Sequence, residues 1–192
     1  MNLPNKLTLR RFALVPVFMI FMYTGGVYRY FIALAVFALA SFTDYLDGHI
    51  ARRQNLVTTF GKFMDPLRDK LLTTVALIYL MKTGMCSEIV LCMVLAREFA
   101  VSGIRMSAAA APGGGKVIAA GFMGKAKTVF QMFAIMLGLL ALALFYPGII
   151  SIQTYVVLSN ITNLLMWVMA GLTVVSGMQY IMPNIDLILE SK

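Results

Sequence analysis

The chain has 192 residues, 60% of them hydrophobic and 12% charged, with a formal net charge of +8 and a mean hydropathy of +0.86. Soluble domains run at about 45–50% apolar and about 25% charged, which excludes an ordinary soluble globule. The 13 Phe, 8 Tyr and abundant branched residues also exclude a disordered chain. A polytopic, all-α membrane protein remains.

In chain order the apolar runs are 12–28, 30–51, 63–81, 89–111, 117–146 and 149–182. At ~20 residues per helical span, these predict six transmembrane helices with no room for a separate soluble domain, so residues 1–192 read as one domain. The first run, preceded by Lys6, Arg10 and Arg11, imitates a signal peptide. Its only cleavage-like stretch, Ala38-Leu39-Ala40, falls inside the second run, which predicts that the first span is retained. The runs are separated by Gly25-Gly26, by the polar stretch from Arg52 to Lys62, and by Lys82 to Glu88. Pro112-Gly113-Gly114-Gly115 and Pro147-Gly148 punctuate the later part.

Six spans place Lys6, Arg10, Arg11, Arg52, Arg53, Lys62, Arg105, Lys116, Lys125, Lys127 and Lys192 on one side, against Arg29 and Lys82 on the other. That bias predicts both termini in the cytoplasm. No polar basic stripe lies outside the apolar runs, so nucleic acid is not the expected partner. Membrane lipids are. Cys86 and Cys92, both in apolar surroundings, read as packing residues. The single histidine, His49, falls about 200° around a helix from Asp47 and reads as facing solvent or head groups.

Acidic residues are scarce and clustered: Asp44, Asp47, Asp65 and Asp69 are four of only eight. Asp44 and Asp47 share a helical face with Gly48 and Ala51, and Gly61, Asp65 and Asp69 form a stripe on the next segment. Consecutive antiparallel spans would bring the two acidic stripes together near the cytoplasmic surface. So many carboxylates at a membrane edge repel one another unless cations neutralise them. One reading is an all-oxygen site for hard divalent ions. The other is an interfacial salt network with Arg52, Arg53, Lys62, Arg68 and Lys70. Small residues on both stripes leave room for a ligand or for close helix contact.

The same residues spell D-x2-D-G-x2-A-R-x8-G-x3-D-x3-D, as Asp44, Asp47, Gly48, Ala51, Arg52, Gly61, Asp65 and Asp69. This pattern resembles the signature of the CDP-alcohol phosphatidyltransferase family, with every signature position matched. The opening MNLPNKLTLRR, REFAVSGIR at 97–105 and GKAKT at 124–128 resemble the branch that makes phosphatidylglycerophosphate. Arg68 is a departure, since relatives usually carry a small residue there.

The resemblance implies a six-helix enzyme of the bacterial cytoplasmic membrane, acting as a homodimer. Its implied reaction moves a phosphatidyl group from CDP-diacylglycerol to sn-glycerol 3-phosphate and releases CMP. It implies two divalent ions, Mg²⁺ or Mn²⁺, held by Asp44, Asp47, Asp65 and Asp69, with Asp69 also the base for the attacking hydroxyl. Asn5, Thr8, Asp44, Gly48, Ala51, Arg52 and Gly61 are the implied CDP-diacylglycerol contacts. Glycerol 3-phosphate needs cations of its own, and Arg97, Arg105, Lys125 and Lys127, near cytoplasmic ends, are the candidates. Glu98 is expected to pair with a cation rather than to do chemistry. Two rival readings stay open: a sister phosphatidyltransferase with another acceptor (inositol phosphate, serine or phosphatidylglycerol), and a divalent-cation transporter.

Overall fold

A computed structural model of the chain describes residues 3–24, 26–54, 59–110 and 121–184, with side chains at 13–24, 26–43, 70–104, 106 and 121–183. Among the described residues the protein is all-helical, with no strand. The helices are α1 (Leu3–Tyr23), α2 (Arg29–Gln54), α3 (Thr59–Lys82), α4 (Glu88–Ala110), α5 (Phe122–Phe145) and α6 (Ile152–Ile181), followed by a 3₁₀ turn at Met182–Asn184. Each predicted apolar run overlaps one helix. The first differs most: α1 starts at Leu3, ahead of the apolar run, and stops at Tyr23, before the run's end at residue 28. Hydropathy marks the part of a helix that suits lipid. Backbone hydrogen bonding continues through the polar opening, and the helix ends at Tyr23.

By length and composition α5 and α6 can cross a membrane, with mean hydropathies of 2.3 and 1.6. Shorter apolar stretches lie in α1 (Ala13–Tyr23) and α2 (Arg29–Thr43). Two hairpin turns close alike. Gly84 and Gly148 adopt φ of 78° and 76°, a region that glycine enters without steric penalty. Gly84 N donates to Met81 O, and Met85 N to Leu80 O. Gly148 N donates to Phe145 O, and Ile149 N to Leu144 O. These paired bonds satisfy the last carbonyls of α3 and α5, which lipid could not.

The helices meet around a ring: α2 packs on α1, α1 on α3, α3 on α4, α4 on α6, and α6 on α5, which returns to α2. A further α3–α5 contact crosses the middle. Phe18, Phe37, Leu77, Leu80, Ile135, Leu139, Met166 and Met169 are fully buried there. Gly138 permits the closest approach, since a Cβ on it would stand 2.8 Å from Leu80 Cδ2 and 3.1 Å from Thr162 Cγ2. The buried hydroxyls of Thr162 and Thr173 donate to the carbonyl oxygens of Leu158 and Met169, one turn back. These two hydroxyls are thus satisfied within their own helix.

Candidate active site

The four signature acids lie on helical backbone at the adjoining ends of α2 and α3. Counted from those ends, Asp44 and Asp69 each sit about 15 Å along the helix, and Asp47 and Asp65 about 10 Å. Only residues 55–58 separate the two helices, which keeps the adjoining ends within about 20 Å. The acids therefore sit at matched distances from the adjoining ends of their helices. Their side chains, with those of Asn5, Thr8, Gly48, Ala51, Arg52, Gly61, Arg68 and Arg105, lie outside the described residues.

Next to this segment, the described side chains build an ionic junction across three helices. Glu98, on α4, is its centre. Its Oε2 lies 2.7 Å from Lys70 Nζ of α3. Its Oε1 accepts from Lys127 Nζ of α5 and from Arg97 Nη1 at 3.3 Å. Lys70 Nζ also donates to the Glu98 carbonyl oxygen at 2.7 Å and to Ser102 Oγ. Ser102 Oγ in turn donates to that same carbonyl at 2.7 Å. Charges this deep are costly unless paired, and side-chain exposures of 27% for Lys70, 15% for Arg97, 16% for Glu98 and 2% for Lys127 show how little water helps. Among the described residues, three cations against one carboxylate leave a formal +2. Arg97 Nε is buried without a hydrogen-bond partner among the described residues.

Of the four cations predicted for the acceptor, Arg97 and Lys127 come together here. Lys125, two residues from Lys127, is exposed instead. Residues two apart on a helix point about 200° from one another, so only one of the pair can face the junction. Glu98 pairs with cations, as expected, but with three of them. Sequence reasoning missed Lys70 and Ser102. Lys70 reads naturally as a partner for the neighbouring aspartates, yet its described partners are on α4. The available signal was the adjacent charges Arg97 and Glu98 in an otherwise apolar segment.

A donor set of carboxylates, at matched distances from the adjoining ends of successive helices, is chemistry that suits hard divalent cations. Asp44, Asp47, Asp65 and Asp69 fit such ions on that ground.

The sequence matches the profile of the CDP-alcohol phosphatidyltransferase family over residues 1–175. It is 38% identical to a Bacillus subtilis protein named CDP-diacylglycerol–glycerol-3-phosphate 3-phosphatidyltransferase, covering 95% of both chains. A Rickettsia bellii protein of the same name is 38% identical over 93% of both chains. A Mycobacterium tuberculosis protein named probable phosphatidylglycerophosphate synthase is 36% identical, covering 94% of this chain and 80% of that one. A family match spanning the signature acids, the ionic junction and most of α6 leaves one assignment: the chain belongs to the CDP-alcohol phosphatidyltransferase family.

Proposed function

We propose that the protein transfers the phosphatidyl group of CDP-diacylglycerol to sn-glycerol 3-phosphate, giving phosphatidylglycerophosphate and CMP. The names of relatives that align end to end with this chain support that reaction. The observation that carries the choice of acceptor is the +2 junction of Lys70, Arg97, Lys127 and Glu98, one residue along α3 from Asp69. A phosphate dianion matches that surplus, and Arg97 Nε, without a partner among the described residues, is suited to a phosphate oxygen.

In this reading the acceptor enters from the cytoplasm and its phosphate rests on Arg97 and Lys127, with Arg105 and Lys125 nearer the mouth. Asp69 takes the proton of the attacking hydroxyl. The oxygen forms a new bond to the phosphatidyl phosphorus, and the bond from that phosphorus to CMP breaks. Asn5, Thr8, Gly48, Ala51, Arg52 and Gly61 receive the nucleotide end of the donor. Divalent ions, Mg²⁺ or Mn²⁺, held by Asp44, Asp47, Asp65 and Asp69, supply charge neutralisation of the pyrophosphate when bound.

The proposal includes a single domain, six membrane spans with both termini cytoplasmic, residence in a bacterial cytoplasmic membrane, and a homodimer. The lysine and arginine bias supports the orientation. Bacterial relatives support the compartment. The test is CMP release by purified protein given CDP-diacylglycerol with glycerol 3-phosphate, inositol phosphate, serine or phosphatidylglycerol, before and after chelation. Turnover with glycerol 3-phosphate that chelation abolishes is expected. Preference for another acceptor, or full activity without divalent ions, contradicts it.

A further inference from the structure

The two oxygens of the Glu98 carboxylate face different helices. Oε2 holds Lys70, which follows Asp69 on α3. Oε1 holds Lys127 of α5 and Arg97 of its own helix. One carboxylate thus ties the segment carrying the acids to two of the cations proposed above for the acceptor.

The space around Arg97 is also shaped. A Cβ on Gly124 of α5 would stand 3.3 Å from Arg97 Nη2, and one on Gly177 of α6 would stand 3.2 Å from Arg97 Cγ. Added at Gly103, Gly121 or Gly171, a Cβ meets nothing within 4 Å. Apart from Gly138 in the core, the described glycines that leave room for a neighbour both leave it for Arg97. The Arg97 side chain is therefore bounded by α5 at its guanidinium and by α6 at its aliphatic stem, and pulled at Nη1 by Glu98.

We propose that Glu98 is a positioning residue for the transfer reaction. From the junction of α3, α4 and α5 it fixes where Arg97 and Lys127 present positive charge to an anionic acceptor, in a slot that Gly124 and Gly177 keep open. This rests on the reading of the protein as a phosphatidyltransferase with a phosphorylated acceptor.

Positioning and simple charge balance predict opposite results. If Glu98 only trimmed positive charge, Glu98→Gln would raise the junction from +2 to +3 and tighten binding of a dianionic acceptor. If Glu98 positions the cations, the substitution loosens them. An amide keeps the shape, but one end becomes a donor, so it cannot receive cations on both sides.

The experiment measures KM for acceptor and donor separately, with kcat, in Glu98→Gln, Gly124→Ala and Gly177→Ala, using Gly171→Ala as control. In Glu98→Gln, acceptor KM should rise about tenfold or more while donor KM stays within about twofold. The two slot variants keep every charge, and each should raise acceptor KM by about threefold or more, with Gly171→Ala unchanged. Unchanged or lowered acceptor KM in Glu98→Gln overturns the proposal. Should Glu98→Gln fail to fold, the slot variants decide, and unchanged acceptor KM in both overturns it. If the wild-type protein prefers a phosphorylated acceptor other than glycerol 3-phosphate, the functional reading fails while the same KM comparison still judges Glu98. If it uses no phosphorylated acceptor, both fall.

Discussion

Lys70 Nζ lies 2.7 Å from the carboxylate of Glu98 and 2.7 Å from the backbone carbonyl oxygen of the same residue. A single ammonium thereby holds both the side chain and the main chain of α4 against α3, immediately beside Asp69. Replacing it with an apolar chain of similar length isolates this tie, because Glu98 keeps Arg97 and Lys127.

Lys70→Met should lower stability in detergent by about 1.5–3 kcal/mol, the scale of a hydrogen bond to a charged group. It should also lower kcat, since the helix turn that carries Asp69 loses its brace. Thermal unfolding beside steady-state CMP release checks both; a stable variant with unaltered kcat would contradict the bracing role.

At the other end of the bundle, Arg29 lies over the rings of Tyr30 and Tyr146, with Cζ 4.6 and 4.8 Å from their centroids. Its Nη2 also donates to the Tyr30 hydroxyl at 2.9 Å. This clamps the start of α2 to the end of α5, at the opposite end of α5 from Lys127. Arg29→Ala should cost about 0.5–2 kcal/mol of stability. Both KM values and kcat of the folded variant should match wild type, and a selective change in acceptor KM would refute the separation of the two ends.

Gly138 sets the spacing between α5 and its neighbours α3 and α6. Gly138→Val places atoms where Leu80 and Thr162 already stand, and overpacking of this kind costs about 1–3 kcal/mol. Gly171→Ala, with open space around it, should leave the melting temperature unchanged. Equal melting temperatures for the two variants would show that the helices can separate freely at Gly138.

Cys86 lies in the turn between α3 and α4, and burial pushes its thiol from 9.0 up to about 11. Since the folded pKa is raised, the neutral thiol favours folding fully below about pH 9, and that contribution is lost as pH rises toward about 11. In a Cys92→Ser background, a water-soluble maleimide at pH 8 should leave Cys86 unmodified until the protein is denatured. Rapid labelling of the folded protein would contradict its burial.

The helices were legible because lipid demands long apolar runs, and the acids because four in so short a stretch are conspicuous. Arg97 stood out as a charge in apolar surroundings, and Lys127, with Lys125, as a cation near a cytoplasmic end. The junction itself was not legible. Glu98 meets Lys70 and Lys127 at sequence separations of 28 and 29, and such meetings depend on the rotation and tilt of three helices. Spacing within one helix carries no information about either. Lys125 and Lys127 illustrate the limit: composition treats them alike, yet α5 exposes one and buries the other. Hydropathy also missed the polar first turns of α1, because it reports lipid compatibility rather than helix extent.

The central claim is that the junction reads the phosphate of the acceptor, and Lys127→Met tests it most directly. Glu98 keeps two cations in this variant, so the fold should survive. The measurement is the ratio of kcat/KM for glycerol 3-phosphate to that for glycerol, in wild type and variant. Losing one charge-assisted contact, worth about 1.5–3 kcal/mol, should reduce the wild-type preference about 10- to 150-fold. An undiminished preference in folded Lys127→Met would contradict the account.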